Sequence, residues 1–166
     1  MPGTYTWYTD GRKKIINDLN MGFKKDLERG DEVEYKVLDI IRETYPKADK
    51  KKGYFKDYDI EIPEINKTLE VKYDEMSAKT GNIVVEVEFD NKPSALQTTK
   101  ADFWLFVTPE HFLWITPEAL WSLIRFHNYN TVRFIGKGDT LYKRAYLIKE
   151  YHIEEMSYPV TKHNLF

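Results

Sequence analysis

Asp59, Glu70 and Lys72 are residues whose types and spacing can do chemistry. They fall in the stretch 57–72, Asp-Tyr-Asp-Ile-Glu-Ile-Pro-Glu-Ile-Asn-Lys-Thr-Leu-Glu-Val-Lys, which reads as a β-hairpin. On its first strand Asp57, Asp59 and Glu61 alternate with Tyr58, Ile60 and Ile62; on its second, Glu70 and Lys72 flank Val71. Side chains two apart on a strand share a face, so Glu70 and Lys72 point the same way and Asp59 can sit on that face of the neighbouring strand. Asp59 has better parity with the hydrophobic pattern than Asp57. Hydrolysis of a phosphodiester needs an activated water, neutralised charge on the pentacovalent phosphorus and a stabilised leaving oxygen. Magnesium or manganese supplies much of this, and one or two carboxylates on rigid strands hold such a hard cation together with its waters. A lysine beside the ion orients the attacking water and stabilises phosphate charge. Asp59, Glu70 and Lys72, with the carbonyl of Val71 aimed so that it could ligate the ion, supply these parts.

Several elements must position them. Ile15, Ile16, Leu19, Phe23 and Leu27 recur at helical spacing over 10–28, with Asp10 as a cap. After Gly30 a second helix is expected over 31–44. Asp31 is its N-cap, Glu34 completes a capping box, and Val33, Val37, Leu38, Ile40 and Ile41 form its stripe; Pro46 ends it. A basic loop with Lys50, Lys51 and Lys52 leads into strands at 56–62 and 68–73, joined through Pro63. A polar connection over 74–81 precedes a third strand at 83–89, where Glu86 and Glu88 alternate with β-branched residues and read as outward-facing, with Glu86 near enough in the sheet to assist the site. A short helix from Ser94, an apolar buried strand at 103–107, a strand at 112–115, a helix from Pro117 to Phe126 and a strand at 141–148 complete the pattern. The segment 158–166 carries no assignable pattern. The fold class is therefore mixed α/β (α+β), with one central mixed β-sheet flanked by helices.

The 166 residues make one domain, able to bury a real core. There is no cysteine, which excludes disulfides, thiol nucleophiles and zinc-thiolate sites and fits a reducing cytoplasm. No signal pattern opens the chain, and no apolar run approaches the roughly 18 residues of a membrane span. The net charge of −2 is unlike a dedicated basic nucleic-acid binder, although an acidic catalytic cluster can coexist with basic flanks. The four histidines show no ligand spacing. Phe103, Trp104, Phe112, Trp114, Trp121 and Phe126 read as core or as an oligomer face.

Asp59, ten intervening residues, then Glu70-Val71-Lys72 after a helix resembles the motif of the PD-(D/E)XK, or restriction-endonuclease-like, nuclease superfamily. The proline of the family name is absent, since Lys56-Asp57-Tyr58 precedes Asp59. The resemblance implies a restriction-endonuclease-like core over about 30–107 with a C-terminal elaboration over 108–166. It implies a metal site of Glu34, Asp59, Glu70 and the Val71 carbonyl, with Glu32 the weaker choice on the helix, and Lys72 assisting the water. Thr80-Gly81-Asn82 through Glu86 is similar to small phage-type members, and Ser94 and Gln97 match the Ser or Gln that Holliday-junction resolvases place near the site. The resemblance further implies a Mg²⁺- or Mn²⁺-dependent deoxyribonuclease with DNA as partner, resolvase-like and a possible homodimer, in the cytoplasm (a host's, if viral). Lys50, Lys51 and Lys52 are either a solvated loop or phosphate contacts. Competing readings are a catalytically silent DNA-binding module on the same fold, an exonuclease, and an unrelated two-carboxylate hydrolase.

Overall fold

The computed structural model describes residues 30–51, 57–108, 112–136 and 138–157. The helix expected over 10–28, Lys52 and the segment 158–166 lie outside them. The first described element is helix α1 (Gly30–Arg42), which buries Val33, Val37, Leu38 and Ile41 along one stripe. Strand β1 (Asp49–Lys50) pairs antiparallel with β2 (Ile60–Ile62). A 3₁₀ turn at Pro63–Ile65, ended by Asn66 in the left-handed region at φ 52°, reverses the chain into β3 (Lys67–Tyr73). β2 and β3 form the expected hairpin, with Ile60 opposite Leu69 and Ile62 opposite Lys67. β2 is shorter than expected, because the chain bends at Asp57 and Asp59.

The polar connection after β3 contains a short helix, α2 (Ser77–Thr80). Its entry is organised by Asp74, whose carboxylate accepts the N–H groups of Met76, Ser77 and Val84 at 3.0, 3.0 and 3.1 Å. Then come β4 (Asn82–Phe89), β5 (Lys92–Pro93), a 3₁₀ turn at Ala95–Gln97, β6 (Phe103–Val107), β7 (Phe112–Ile115) and helix α3 (Pro117–Phe126). Strand β8 (Thr131–Ile135), strand β9 (Tyr142–Lys149) and helix α4 (Glu150–Met156) close the described chain. β8 and α4 carry no clear pattern in the sequence.

The fold is mixed α+β, but its strands divide between two sheets where one was expected. The first has the order β1-β2-β3-β6-β7, the second β5-β4-β9-β8. The free edge of β3 is taken by β6, running parallel, from Leu69 opposite Phe103 to Tyr73 opposite Val107. The third strand, β4, therefore does not lie beside the hairpin; it pairs antiparallel with β9. The interior strand β6 is buried on both faces, with all five of its residues in the core. Leu69, Val71, Leu105 and Val107 pack with α1 on one face. Trp104, Phe106, Leu113 and Ile115 face the other way, against Ile83 and Val85 of β4, Ile148 of β9 and the apolar stripes of α3 and α4. No helix among the described residues is long and apolar enough to cross a membrane.

Candidate active site

Asp59 ends the β2–β3 ladder and is held by it. Its N–H donates to the Leu69 carbonyl at 2.9 Å. Its carboxylate Oδ2 accepts the Val71 N–H at 2.8 Å, replacing the next rung that β2 no longer supplies. Asp59 and Glu70 line the same cleft, which puts both side chains on one side of the hairpin. Leu69 and Val71 are on the alternate face and point into the core under α1, which turns Glu70 and Lys72 to the side of the second sheet. Asp59, Glu70 and Lys72 therefore share a face, as their parity in the sequence requires.

Asp59, Glu70 and Lys72 line one cleft of about 440 Å³, and Asp57 does not line it. Its other walls are Glu86 from β4, Pro93, Ser94 and Ala95 after β5, Thr98 and Thr99, and Trp104 from β6. Lys72 Nζ pairs with Glu70 Oε1 at 3.0 Å and lies 5.4 Å from the centre of the Trp104 ring, which is itself fixed by an Nε1–H bond to Thr99 Oγ1 of 3.0 Å. Glu86 accepts the Ser94 hydroxyl at 2.7 Å. β4 keeps its alternation, burying Ile83, Val85 and Val87, and Glu86 reaches the cleft from the alternate face.

The cleft is charge-crowded. Burial, then the Glu70 carboxylate and more weakly Glu34, push the Asp59 carboxyl up to about 7, against the Val71 N–H and Lys72, which favour its charged form. For Lys72, burial pulls its pKa down, but Glu70, Asp59 and Glu86 together outweigh burial and raise it, so the amine is a fixed cation. Three carboxylates thus face one ammonium in the cleft. That donor set fits a hard divalent cation. Among the described residues no three His, Asp or Glu side chains are arranged to hold a metal ion. The Val71 backbone presents its polar groups to the same edge as Asp59, which leaves its carbonyl on that side.

The remaining candidates divide. Glu34 does not line the cleft; its carboxylate is paired with Lys50 Nζ at 2.9 Å and reaches Asp59 only through space. Lys50 also lies over the Tyr35 ring, and Lys51 pairs with Glu61 at 3.0 Å beside Tyr58, so both cations are engaged within the fold. Ser94 is at the cleft wall, but Gln97 is turned away and donates its side-chain amide to the Val87 carbonyl at 2.9 Å. Of the histidines, His127 and His152 stack at 3.7 Å, with Tyr129 bonded to His152 Nδ1, and neither lines the cleft. Glu86, Thr99 and Trp104 are the site residues that sequence reasoning undervalued. A tryptophan on the strand beside Glu70-Val71-Lys72 was the available signal.

Comparison of the chain with protein-family models, with curated proteins and with solved structures finds no match.

Proposed function

We propose that this protein is a magnesium- or manganese-dependent deoxyribonuclease, cutting DNA internally and at structured sites. The reading rests on one observation: Asp59, Glu70 and Lys72, from two adjacent strands, converge on one cleft in which the carboxylates outnumber the cation. Asp59 and Glu70 would hold the ion, with the Val71 carbonyl on the same edge. The bound ion supplies charge neutralisation at the phosphate and a more acidic water. Lys72, kept protonated by its acidic neighbours, is placed to hold the water and a phosphate oxygen. The Val71 N–H fixes the Asp59 carboxylate, so the ligand is oriented before substrate arrives. The buried Trp104 ring, 5.4 Å from Lys72 Nζ, gives the ammonium an apolar wall.

The test is a cleavage panel with Mg²⁺ or Mn²⁺ over four-way junction, flap, single-stranded, linear duplex and plasmid DNA. Internal cuts that vanish in Lys72→Met are the expected result, and symmetric paired cuts on the junction would indicate a dimer. A folded sample that cleaves none of the five sinks the proposal. Salt-sensitive DNA binding without cleavage would instead identify a binding module.

A further inference from the structure

Helix α4 is seven residues long, has no side-chain cap at its start and buries Glu150 and Ile153. A helix this short has little stability of its own and is held by what it docks on. Its anchors are Ile153 in the core, the Glu150 carboxylate, which accepts the Thr108 hydroxyl at 2.9 Å, and a cluster of rings shared with the end of α3. In that cluster His127, the residue after α3, and His152 of α4 lie face to face, 3.7 Å apart with 9° between their planes. Tyr129 Oη accepts the Lys149 N–H at 2.9 Å and has its one hydrogen left for His152 Nδ1 at 2.6 Å. His152 Nδ1 is then an acceptor, so the ring is neutral with its hydrogen on Nε2.

We propose that Tyr129, His127 and His152 form a latch that holds α4 on α3 while both imidazoles are neutral and releases it on acidification. A proton added at Nδ1 sets donor against donor and displaces the Tyr129 hydroxyl. Charge on both stacked rings sets like charges face to face. Burial first, then His127 and Lys149, lower the His152 pKa from 6.5, against Glu155, which raises it. Arg125 is turned to Ser122 of its own helix, and β7 beneath α4 is apolar throughout. As pH falls below 6.5, an undocked His152 takes up a proton that the docked one resists, so docking weakens. Release opens the apolar pocket of about 380 Å³ that the two helices share, between Leu123 and Phe126 of α3 and Met156 of α4.

The experiment is nitrogen NMR of the histidine rings in the full chain, with amide hydrogen exchange, from about pH 5 to 8. Exchange is read helix by helix because Asp59 shifts global stability in the opposite sense over an overlapping window. At about pH 8 His152 should carry its hydrogen on Nε2, and it should titrate below 6.5. After correction for intrinsic rates, α4 amides should exchange at least about fivefold faster at about pH 5 than at about pH 7, with β6 unaffected. Tyr129→Phe removes the hydroxyl and should raise the His152 midpoint; His127→Gln should raise it too and flatten the pH dependence of α4. A His152 with its hydrogen on Nδ1 at about pH 8, or α4 exchange equal at about pH 5 and 7, overturns the proposal, whether or not the variants fold. A midpoint unmoved in Tyr129→Phe overturns the role of Tyr129. None of these readouts involves DNA or a metal ion, so they stand or fall separately from the nuclease reading.

Discussion

Replacing Asp59 by asparagine should stabilise the protein while it abolishes activity. The amide keeps an oxygen for the Val71 N–H, which Asp59 accepts at 2.8 Å, so the turn out of β2 is preserved. What it removes is a charge held among Glu70, Glu34 and apolar surroundings. Lifting the carboxyl from 3.8 to about 7 corresponds to ~4 kcal/mol as an upper bound. Solvent at the cleft screens these interactions and brings the expected gain to about 1–3 kcal/mol. The sign comes from proton counting. Between about pH 4 and 7 the unfolded chain has released the proton that the folded one keeps, so wild-type stability falls as pH rises through this window. Below about pH 4 the two proteins should melt alike; at about pH 8 the asparagine variant should melt roughly 2–12 °C higher, at about 2–4 °C per kcal/mol for a chain of this length. Thermal unfolding followed by circular dichroism from about pH 4 to 8, without divalent ions, measures the difference. Adding Mn²⁺ at about 100 times its Kd should return ~2.7 kcal/mol to the wild type alone. An Asp59→Asn protein no more stable than wild type at about pH 8, or a gap that narrows as pH rises, would refute the electrostatic account of the cleft.

Three further outcomes are expected. Lys72→Met keeps the stem against Trp104 but removes the ammonium 3.0 Å from Glu70; cleavage should fall at least about a thousandfold, with the far-UV spectrum unchanged. Thr116→Ala removes the side-chain cap that accepts the Ala119 N–H at the start of α3, and should cost ~1 kcal/mol in denaturant unfolding without changing cleavage rate. Asp74→Ala leaves the N–H groups of Met76, Ser77 and Val84 without their acceptor and should cost about 2–3 kcal/mol, with faster hydrogen exchange confined to α2 and the start of β4.

The hairpin was legible because three local signals agree: Ile60 and Ile62 alternate with acids, Leu69 and Val71 alternate with Glu70 and Lys72, and Pro63 stands between the two runs. β6 was legible for the opposite reason, since a strand buried on both faces leaves no polar gaps in Phe-Trp-Leu-Phe-Val. α3 announced itself through Thr116-Pro117-Glu118 and a regular stripe. β8, Thr-Val-Arg-Phe-Ile, escaped because it is an edge strand with no buried residue, so no burial pattern disciplines its sequence. α4 has seven residues and buries one large apolar side chain, Ile153, too little for a period to show. The division into two sheets depends on β4 choosing the distant β9 over its neighbour β3, and nothing local in Ile83 to Phe89 encodes that choice. The same non-local choice carried Glu86 into the cleft and left Glu34 with Lys50.

The layer between the sheets acquires a second duty from this arrangement. Glu70 and Lys72 ride on one sheet and Glu86 on the other, so the gap across the cleft is calibrated by what fills the space behind it: Trp104, Phe106 and Leu113 against Ile83, Val85 and Ile148. Packed interiors yield little, and a deleted methylene is met by partial collapse of the surrounding walls. Catalytic groups tolerate displacements of only about 0.5 Å. Trimming Ile83 or Leu113, neither of which lines the cleft, would therefore detune the site through its spacing even where the fold survives.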